Sequence, residues 1–438
     1  MIGKKTWGKI DFQYELPKKM ENLIVGLSFP RNNQNVGLEP SILTVLPEGD
    51  NVRYCSDNHD YNDDEVQLYL CSVYITGYDE FIDWASRHNQ KKIIVGGYHP
   101  TAFPEDFIRH AHKIVQGPCD DIWPTIMQQE GQIVDGITSY KKMPRYDLYN
   151  PSNNQQIIPE KKPKDLCTSI NTSQGCPYAC DFCCTPLLSK GLSSKPLGVL
   201  KQEIDYMNRK IFYYDKPKYV FIRDENFPLQ PDWVKRLRII KSLGAKIYLF
   251  ASANLLNERK IKLMKERNVY MVCLGLEDIT TDYGKNKNLD EVCRLLKKHG
   301  IYIYLSFIVN PLKVIGRKEG YEFYKRLMKR FQDLAPEMVC GNFLMPFRGT
   351  KIWDEFYPFV DKEDYKHFDS KTAFLIKNKI VREKMHFFMF WYQWLYYTSD
   401  FYKNNVRRFF CDDTLSLRFV ELYKQFEISY RNIWNVRP

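Results

Sequence analysis

The sequence predicts an α/β protein in two successive parts, followed by a helical C-terminal region. Three observations predict it. Short, nearly continuous apolar runs recur as parallel strands buried on both faces require. Amphipathic segments of helical period separate them. Beyond about residue 361 the alternation stops and the chain turns aromatic and helical.

In the first part the strand candidates are residues 22–29, 51–55, 66–75, 92–96 and 113–116, with helical patterns at 79–88 and 105–110. This pattern predicts a doubly wound domain over 1–143. The polar stretch 144–164, rich in Pro, Asn and Lys, is expected to be a linker. A second alternation fills 165–360. Its strand candidates are 166–171, 219–223, 246–251, 269–275, 301–309 and 338–344, separated by helical patterns such as 197–208, 233–242, 258–267 and 290–299. Six strands joined by helices match a partial (β/α)6 barrel, whose site is expected at the C-terminal strand ends. In the region 361–438, residues 387–397 read FFMFWYQWLYY. As a helix this run spans about 16 Å, too short for a bilayer. Burial between the barrel and residues 415–426 is the favoured reading; closing the barrel mouth over an apolar substrate is the other.

The 438 residues carry 64 basic and 53 acidic side chains, a formal charge of +11 spread along the chain. No basic block argues for nucleic acid. Residues 1–6 are polar and basic with no apolar run behind them, and no apolar stretch reaches membrane-spanning length. A cytoplasmic protein is expected, with no membrane span. Of twelve cysteines, four lie within 176–184. The scattered ones are expected to be small buried hydrophobes rather than a disulfide framework.

The segment Gln174-Gly-Cys-Pro-Tyr-Ala-Cys-Asp-Phe-Cys-Cys184 has the spacing C-x3-C-x2-C and follows the first strand of the second part. Three thiolates from one loop suit three irons of a [4Fe–4S] cubane, Cys176, Cys180 and Cys183 being the ligands. The fourth iron then stays open to bind and activate a substrate. Cys184 is read as a neighbour. A structural zinc site using all four is the alternative, but zinc cysteines usually form two separated pairs.

These residues and four further segments resemble the radical S-adenosylmethionine (SAM) superfamily, in its subgroup with an N-terminal cobalamin (B12)-binding-type domain, over residues 22–355. Residues 94–105, IVGGYHPTAFPE, resemble the subgroup's VGGxHPTxxPE, and 174–183 resemble its RGCPxxCxFC loop. Residues 223–227, RDENF, stand at DDNF; 274–277, LGLE, at GxES; and 343–350, FLMPFRGT, at TPxPGT. The resemblance implies a Rossmann-like B12-binding-type domain before a radical SAM barrel. It implies an enzyme whose cluster cleaves SAM to a 5′-deoxyadenosyl radical and so modifies an unactivated carbon of a small or peptide-like substrate. Methyl transfer, cyclisation and rearrangement all fit. An external electron donor of flavodoxin or ferredoxin type is implied as partner.

Carried over residue by residue, Phe182 lies beside the adenine. Asp224, Glu225 and Asn226 face the methionine part, and Glu277 contacts the ribose or amino group. Ser306 and Asn310 neighbour the adenosyl group. For the acids and amides the plain alternative is helix capping. Ser72, Thr76, Gly96 and Gly97 stand where the resemblance places a cobalamin nucleotide tail. The loop 28–37 lacks the histidine of a D-x-H-x-x-G motif, residues 57–60 carry only its first part after another strand, and 117–120 replace the subgroup's GEGE turn. His99 is read as a turn histidine bonded to backbone rather than a catalytic base. Two other functions stay open. A tRNA-modifying methylthiotransferase needs a second cluster in its first domain, for which Cys55, Cys71 and Cys119 are far apart. An iron–sulfur redox protein without catalysis needs none of the downstream acids and amides.

Overall fold

The structure is a computed structural model. It describes residues 23–29, 44–47, 50–55, 63–119, 129–136, 138, 140, 143–148, 167–189, 191–213, 216–281 and 284–406. The loop 28–37 (beyond Phe29), residues 57–60, Asp120, the linker between 149 and 166, and residues 415–426 lie outside them.

Two compact units form, residues 75–79 and those beyond 148 grouping in the second. The first holds a parallel sheet of β1 (Leu23–Phe29), β2 (Val52–Cys55), β3 (Val66–Val73), β4 (Lys92–Gly96), β5 (Lys113–Gln116) and β6 (Ile133–Asp135). Its order is β2-β1-β3-β4-β5-β6. The order reverses between β1 and β3, which makes their C-terminal ends the switch point where such sheets bind ligands. Seven of the eight residues of β3 are buried, as expected of a central strand. Helix α1 (Tyr78–Arg87) buries Phe81, Trp84 and Ala85. The expected helix at 105–110 is instead a short α2 (Tyr98–Ala102) followed by a 3-10 turn over Pro104–Phe107.

The second unit holds β7 (Cys167–Ile170), then a two-residue hairpin of β8 (Ser173–Gln174) and β9 (Ser193–Ser194), then β10 (Tyr219–Ile222), β11 (Lys246–Phe250), β12 (Val269–Glu277), β13 (Tyr302–Val309) and β14 (Met338–Phe343). The large sheet runs β14-β13-β12-β11-β10-β7, all parallel, with β7 and β14 at open edges. This is the partial barrel. Between its strands come α3 (Thr185–Leu188), α4 (Leu197–Tyr206), α5 (Trp233–Ile240), α6 (Glu258–Lys265), α7 (Leu289–Lys298) and α8 (Arg317–Leu334). Along β13 burial alternates strictly. Phe307 packs outward on Phe331 of α8, so Tyr302, Tyr304, Ser306 and Ile308 face the barrel interior. Tyr219, Tyr248, Tyr270 and Tyr302 pack ring to ring across the N-terminal strand ends, and the Lys246 ammonium lies 4.0 Å from the Tyr270 ring. They line the N-terminal end of the sheet.

After β14 come α9 (Lys351–Phe356), α10 (Lys379–Thr398) and α11 (Asp400–Asn405). Burial of the aromatic run in α10 is one-sided. Met389, Phe390, Gln393, Tyr396 and Tyr397 are buried, Trp391 and Trp394 are half-buried, and Phe388 is exposed. Among the described residues no helix is long and apolar enough to cross a membrane.

Candidate active site

The cysteine loop is held by a buried polar network below it. Asp224, just after β10, is fully buried. It accepts hydrogen bonds from the Thr172 amide (2.6 Å) and hydroxyl (2.5 Å), the Ser173 amide (3.1 Å) and hydroxyl (2.8 Å), and the Gln230 amide (2.7 Å). Burial raises its pKa, and those donors oppose the rise. Arg236, paired with Asp232, donates to the Thr172 carbonyl. Lys195, in a buried ion pair with Glu203, donates its backbone N–H to the same oxygen. Residues 172–173, immediately before the loop, are thereby fixed. Gly175 then turns at φ +85°, and a Cβ there would collide with the Gly191 carbonyl, so only glycine lets the hairpin close.

Cys176, Cys180, Cys183 and Cys184 are partly exposed free thiols within this loop. The Cys183 amide donates to the Cys180 carbonyl at 3.0 Å, and its sulfur lies 3.3 Å from the Thr185 hydroxyl. Tyr178 accepts from Asn254, anchoring the loop to the end of β11. Gly349 of the FLMPFRGT segment packs directly on Leu187 of α3, and Thr350 caps α9. That segment supports the cysteine loop from below. Among the described residues no three His, Cys, Asp or Glu side chains converge as they would round a single metal ion. A cubane asks for a different arrangement, because each thiolate binds a different iron. Three unpaired thiols on one partly open loop suit it. Burial pushes the Cys184 thiol up to about 12, which makes it the poorest candidate for a fourth ligand.

Glu277 ends β12 in an unusual conformation. The register with β13 shifts between Gly275 and Glu277, and Glu277 sits at φ +58°. Its carboxylate folds back over Gly275, where any Cβ would strike it. There it meets Lys285 Nζ at 2.5 Å. Lys285 Nζ also lies 5.5 Å from the ring of Phe182 in the cysteine loop, near enough to Cys180 for each to act on the other's charge. Burial works against its charge, but Glu277 and Cys180 hold its pKa above the usual value. Glu225 stays exposed beside Cys176, and partial desolvation raises its carboxyl. Phe182, Glu225, Glu277 and the three cysteines thus form one group, to which the structure adds Lys285. No residue pattern points to Lys285, eight residues beyond Glu277 on a 3-10 turn.

Other expected site residues are engaged elsewhere. Asp224 is the clasp below the loop rather than a group facing a ligand. Asn226 bridges to Ser252 through both amide atoms, at 2.8 and 3.1 Å, tying β10 to β11. Asn310 caps the turn Pro311–Lys313 by accepting from the Leu312 amide. Ser306 accepts from Asn342 at 3.1 Å but still faces the barrel interior.

In the first unit Ser72 pairs in register with Gly96 beside the switch point, and Gly97 follows. Gly97, at φ +107°, is needed because its Cα approaches the Val73 backbone; the close approach is to protein. Gly96 differs. Among the described residues a Cβ there would meet only Val115, at 3.9 Å, so these neighbours do not demand glycine. Thr76 lies on the turn Ile75–Gly77, which groups with the second unit. His99 is fully buried and bonded to the Asp106 carboxylate at 3.0 Å, against Phe103 and Phe107, rather than to backbone. Buried Thr101 receives the Gly117 amide, so the VGGYHPTAFPE segment is built for packing.

An open parallel barrel with a three-cysteine loop after its first strand is the arrangement of an iron–sulfur domain. Residues 170–356 match the Radical SAM superfamily, so this part of the chain is a radical SAM domain. Membership of that superfamily implies a [4Fe–4S] cluster and SAM. The chain is 24% identical to bacteriochlorophyllide d C-8(2)-methyltransferase of Chlorobaculum tepidum, over 68% of this chain and 69% of that protein. It is 26% identical to hopanoid C-3 methylase of Methylococcus capsulatus, over 48% of this chain and 41% of that protein. Among solved structures its fold is similar to the radical SAM methyltransferase TsrM of Kitasatospora setae with cobalamin and [4Fe–4S] cluster bound. There the TM-score is 0.56 at 14% identity, covering 77% of this chain and 75% of that one. It is also similar to the cobalamin-dependent radical enzyme OxsB, with a TM-score of 0.54 at 14% identity, covering 79% and 56%.

Proposed function

We propose that this enzyme is a cobalamin-dependent radical SAM methyltransferase acting on an unactivated carbon of a small or peptide-like substrate. The observation that carries the reading is the presence, in one chain, of a three-cysteine loop after the first strand of a parallel partial barrel and of a doubly wound parallel sheet. Relatives named as methyltransferases support it.

Cys176, Cys180 and Cys183 would hold the cluster and leave one iron for SAM. With both in place the site would supply reductive cleavage of a sulfonium C–S bond, the electron coming from an external one-electron donor of flavodoxin or ferredoxin type. Glu277 presents one carboxylate oxygen to Lys285 and leaves the other for SAM. Phe182 offers a ring face for the adenine, and Glu225 lies beside Cys176 on the open side. Ser306, on the interior face of β13, is placed to approach the adenosyl group or the substrate. Ser72 and Gly96 would receive the cobalamin tail, Ser72 by hydrogen bonding and Gly96 by leaving room.

The test is anaerobic reconstitution with iron and sulfide, followed by SAM, a low-potential reductant and hydroxocobalamin. The reading expects 5′-deoxyadenosine, retained cobalamin after gel filtration, and a deuterated methyl group passing from methyl-labelled SAM into a product of the host extract. SAM cleavage without retained cobalamin would move the assignment to cyclisation or rearrangement.

A further inference from the structure

The Glu277–Lys285 pair lies against the cysteine loop but is not itself a set of cluster ligands. Lys285 Nζ meets Glu277 Oε1 at 2.5 Å and lies 5.5 Å from the ring of Phe182, two residues beyond Cys180, so its charge bears on the Cys180 sulfur. The two side chains are only 19% and 10% exposed, so water and salt screen them little. The arrangement is enforced. Glu277 reaches Lys285 because the bulge at Gly275–Glu277 and the positive φ turn it back along its own strand, and Gly275 keeps that path clear. Positive φ is strained for glutamate and persists only where its surroundings hold it.

Resting on the reading that Cys180 ligates a [4Fe–4S] cluster, we infer that Glu277 and Lys285 form a fixed dipole, positive end toward the Cys180 sulfur, that sets the reduction potential of the cluster. The physical basis is simple. Reduction of [4Fe–4S]2+ to [4Fe–4S]1+ adds one electron from the reductant and breaks no bond. A cation near a ligand sulfur favours the reduced state, and an anion behind that cation partly cancels it. Lys285 is therefore a positioning residue for charge, and Glu277 is its counterweight. Removing either has a definite and opposite sign.

The experiment is an EPR-monitored redox titration of the reconstituted full-length protein, with dithionite as reductant and without SAM. Lys285→Met should move the midpoint to more negative potential, and Glu277→Gln should move it to more positive potential. An effect of tenfold on the one-electron equilibrium reads as about 59 mV. Lys285→Arg, which keeps the charge, should stay near wild type. A merely structural contribution would move Lys285→Met and Glu277→Gln the same way through loosening and solvent entry. Shifts of like sign, or none in either variant, overturn the inference. Should Lys285→Met fail to assemble a cluster, the positive shift in Glu277→Gln still decides. Failure of the wild type to assemble a [4Fe–4S] cluster would instead overturn the reading of the cysteine loop, and the inference with it.

Discussion

Glu277 Oε1 and Lys285 Nζ lie 2.5 Å apart because Gly275 has no side chain. The carboxylate occupies the space a Cβ at 275 would need, so the glycine holds the site together without touching a ligand. Glu277→Ala should leave the cluster spectrum intact and weaken SAM binding by roughly tenfold or more, the loss of one hydrogen bond to a charged group being about 1.5–3 kcal/mol. Gly275→Ala should produce much of the same loss by dislodging the carboxylate. Equilibrium dialysis of SAM against the reconstituted variants measures both. Unchanged affinity in Glu277→Ala would show that the end of β12 does not meet SAM.

The four adjacent cysteines should separate cleanly by function. Cys176→Ala, Cys180→Ala or Cys183→Ala should each abolish the oxygen-sensitive cluster, and Cys184→Ala should keep about four irons per chain. The burial that pushes the Cys184 thiol up to about 12 suits an inert neighbour. Iron and zinc analysis of anaerobically purified protein checks this. Stoichiometric zinc without iron, with loss on changing Cys184, would identify a structural zinc site instead.

Asp224 collects five donors from Thr172, Ser173 and Gln230 directly below the loop. Asp224→Ala leaves the Thr172 and Ser173 donors without their acceptor in a buried place, each unmet group costing about 1–3 kcal/mol, while Gln230 keeps its bond to the Thr172 hydroxyl. Urea unfolding of the apoprotein should show that loss. Because the same residues anchor the cysteine loop, the variant should also retain iron poorly. Full stability with normal iron would mean that the clasp is dispensable.

The barrel strands and most strands of the first sheet were legible because strands buried on both faces leave nearly unbroken apolar runs. β6 was not, since only Val134 of its three residues is buried. Helix α8 shows its core face only through Phe323, Tyr324, Leu327, Phe331 and Leu334, dispersed among charges. At the site, the cysteine spacing announces its own chemistry. Asp224, Asn226 and Asn310 stand at strand ends as expected, but position along a strand does not tell where a side chain points. Asp224 and Asn226 turn into the protein, and Asn310 folds onto its own turn. Lys285 was invisible because its contact depends on a positive φ at Glu277 that no residue pattern encodes.

The aromatic run of α10 was read as apolar, and its polar atoms prove to matter most. Among the described residues β14 is an edge strand, with no seventh strand to pair with its outward backbone groups. Side chains take its place. Tyr397 Oη accepts the Val339 amide at 2.8 Å, Gln393 Oε1 accepts the Gly341 amide at 3.2 Å, and Lys371 donates to the Gly341 carbonyl at 2.9 Å. Tyr396 and Tyr402 hydroxyls donate to the Pro336 and Glu337 carbonyls at 2.6 and 2.9 Å. Val339 and Gly341 alternate along β14 and turn their backbone outward, which is why their partners recur with strand period, whereas the Glu337 amide, just before the strand, donates inward to the Ile303 carbonyl. Tyr397→Phe and Gln393→Leu each remove a partner while keeping the bulk, leaving a buried amide unmet at about 1–3 kcal/mol. Trp394→Phe, on the half-buried side of the helix, should cost less than either. Thermal unfolding of the three variants ranks them. Equal losses for Tyr397→Phe and Trp394→Phe would return α10 to the simpler status of apolar packing. The expected order, with reconstituted cluster spectra unchanged in all three, would establish its tyrosines as the cover of the open barrel edge.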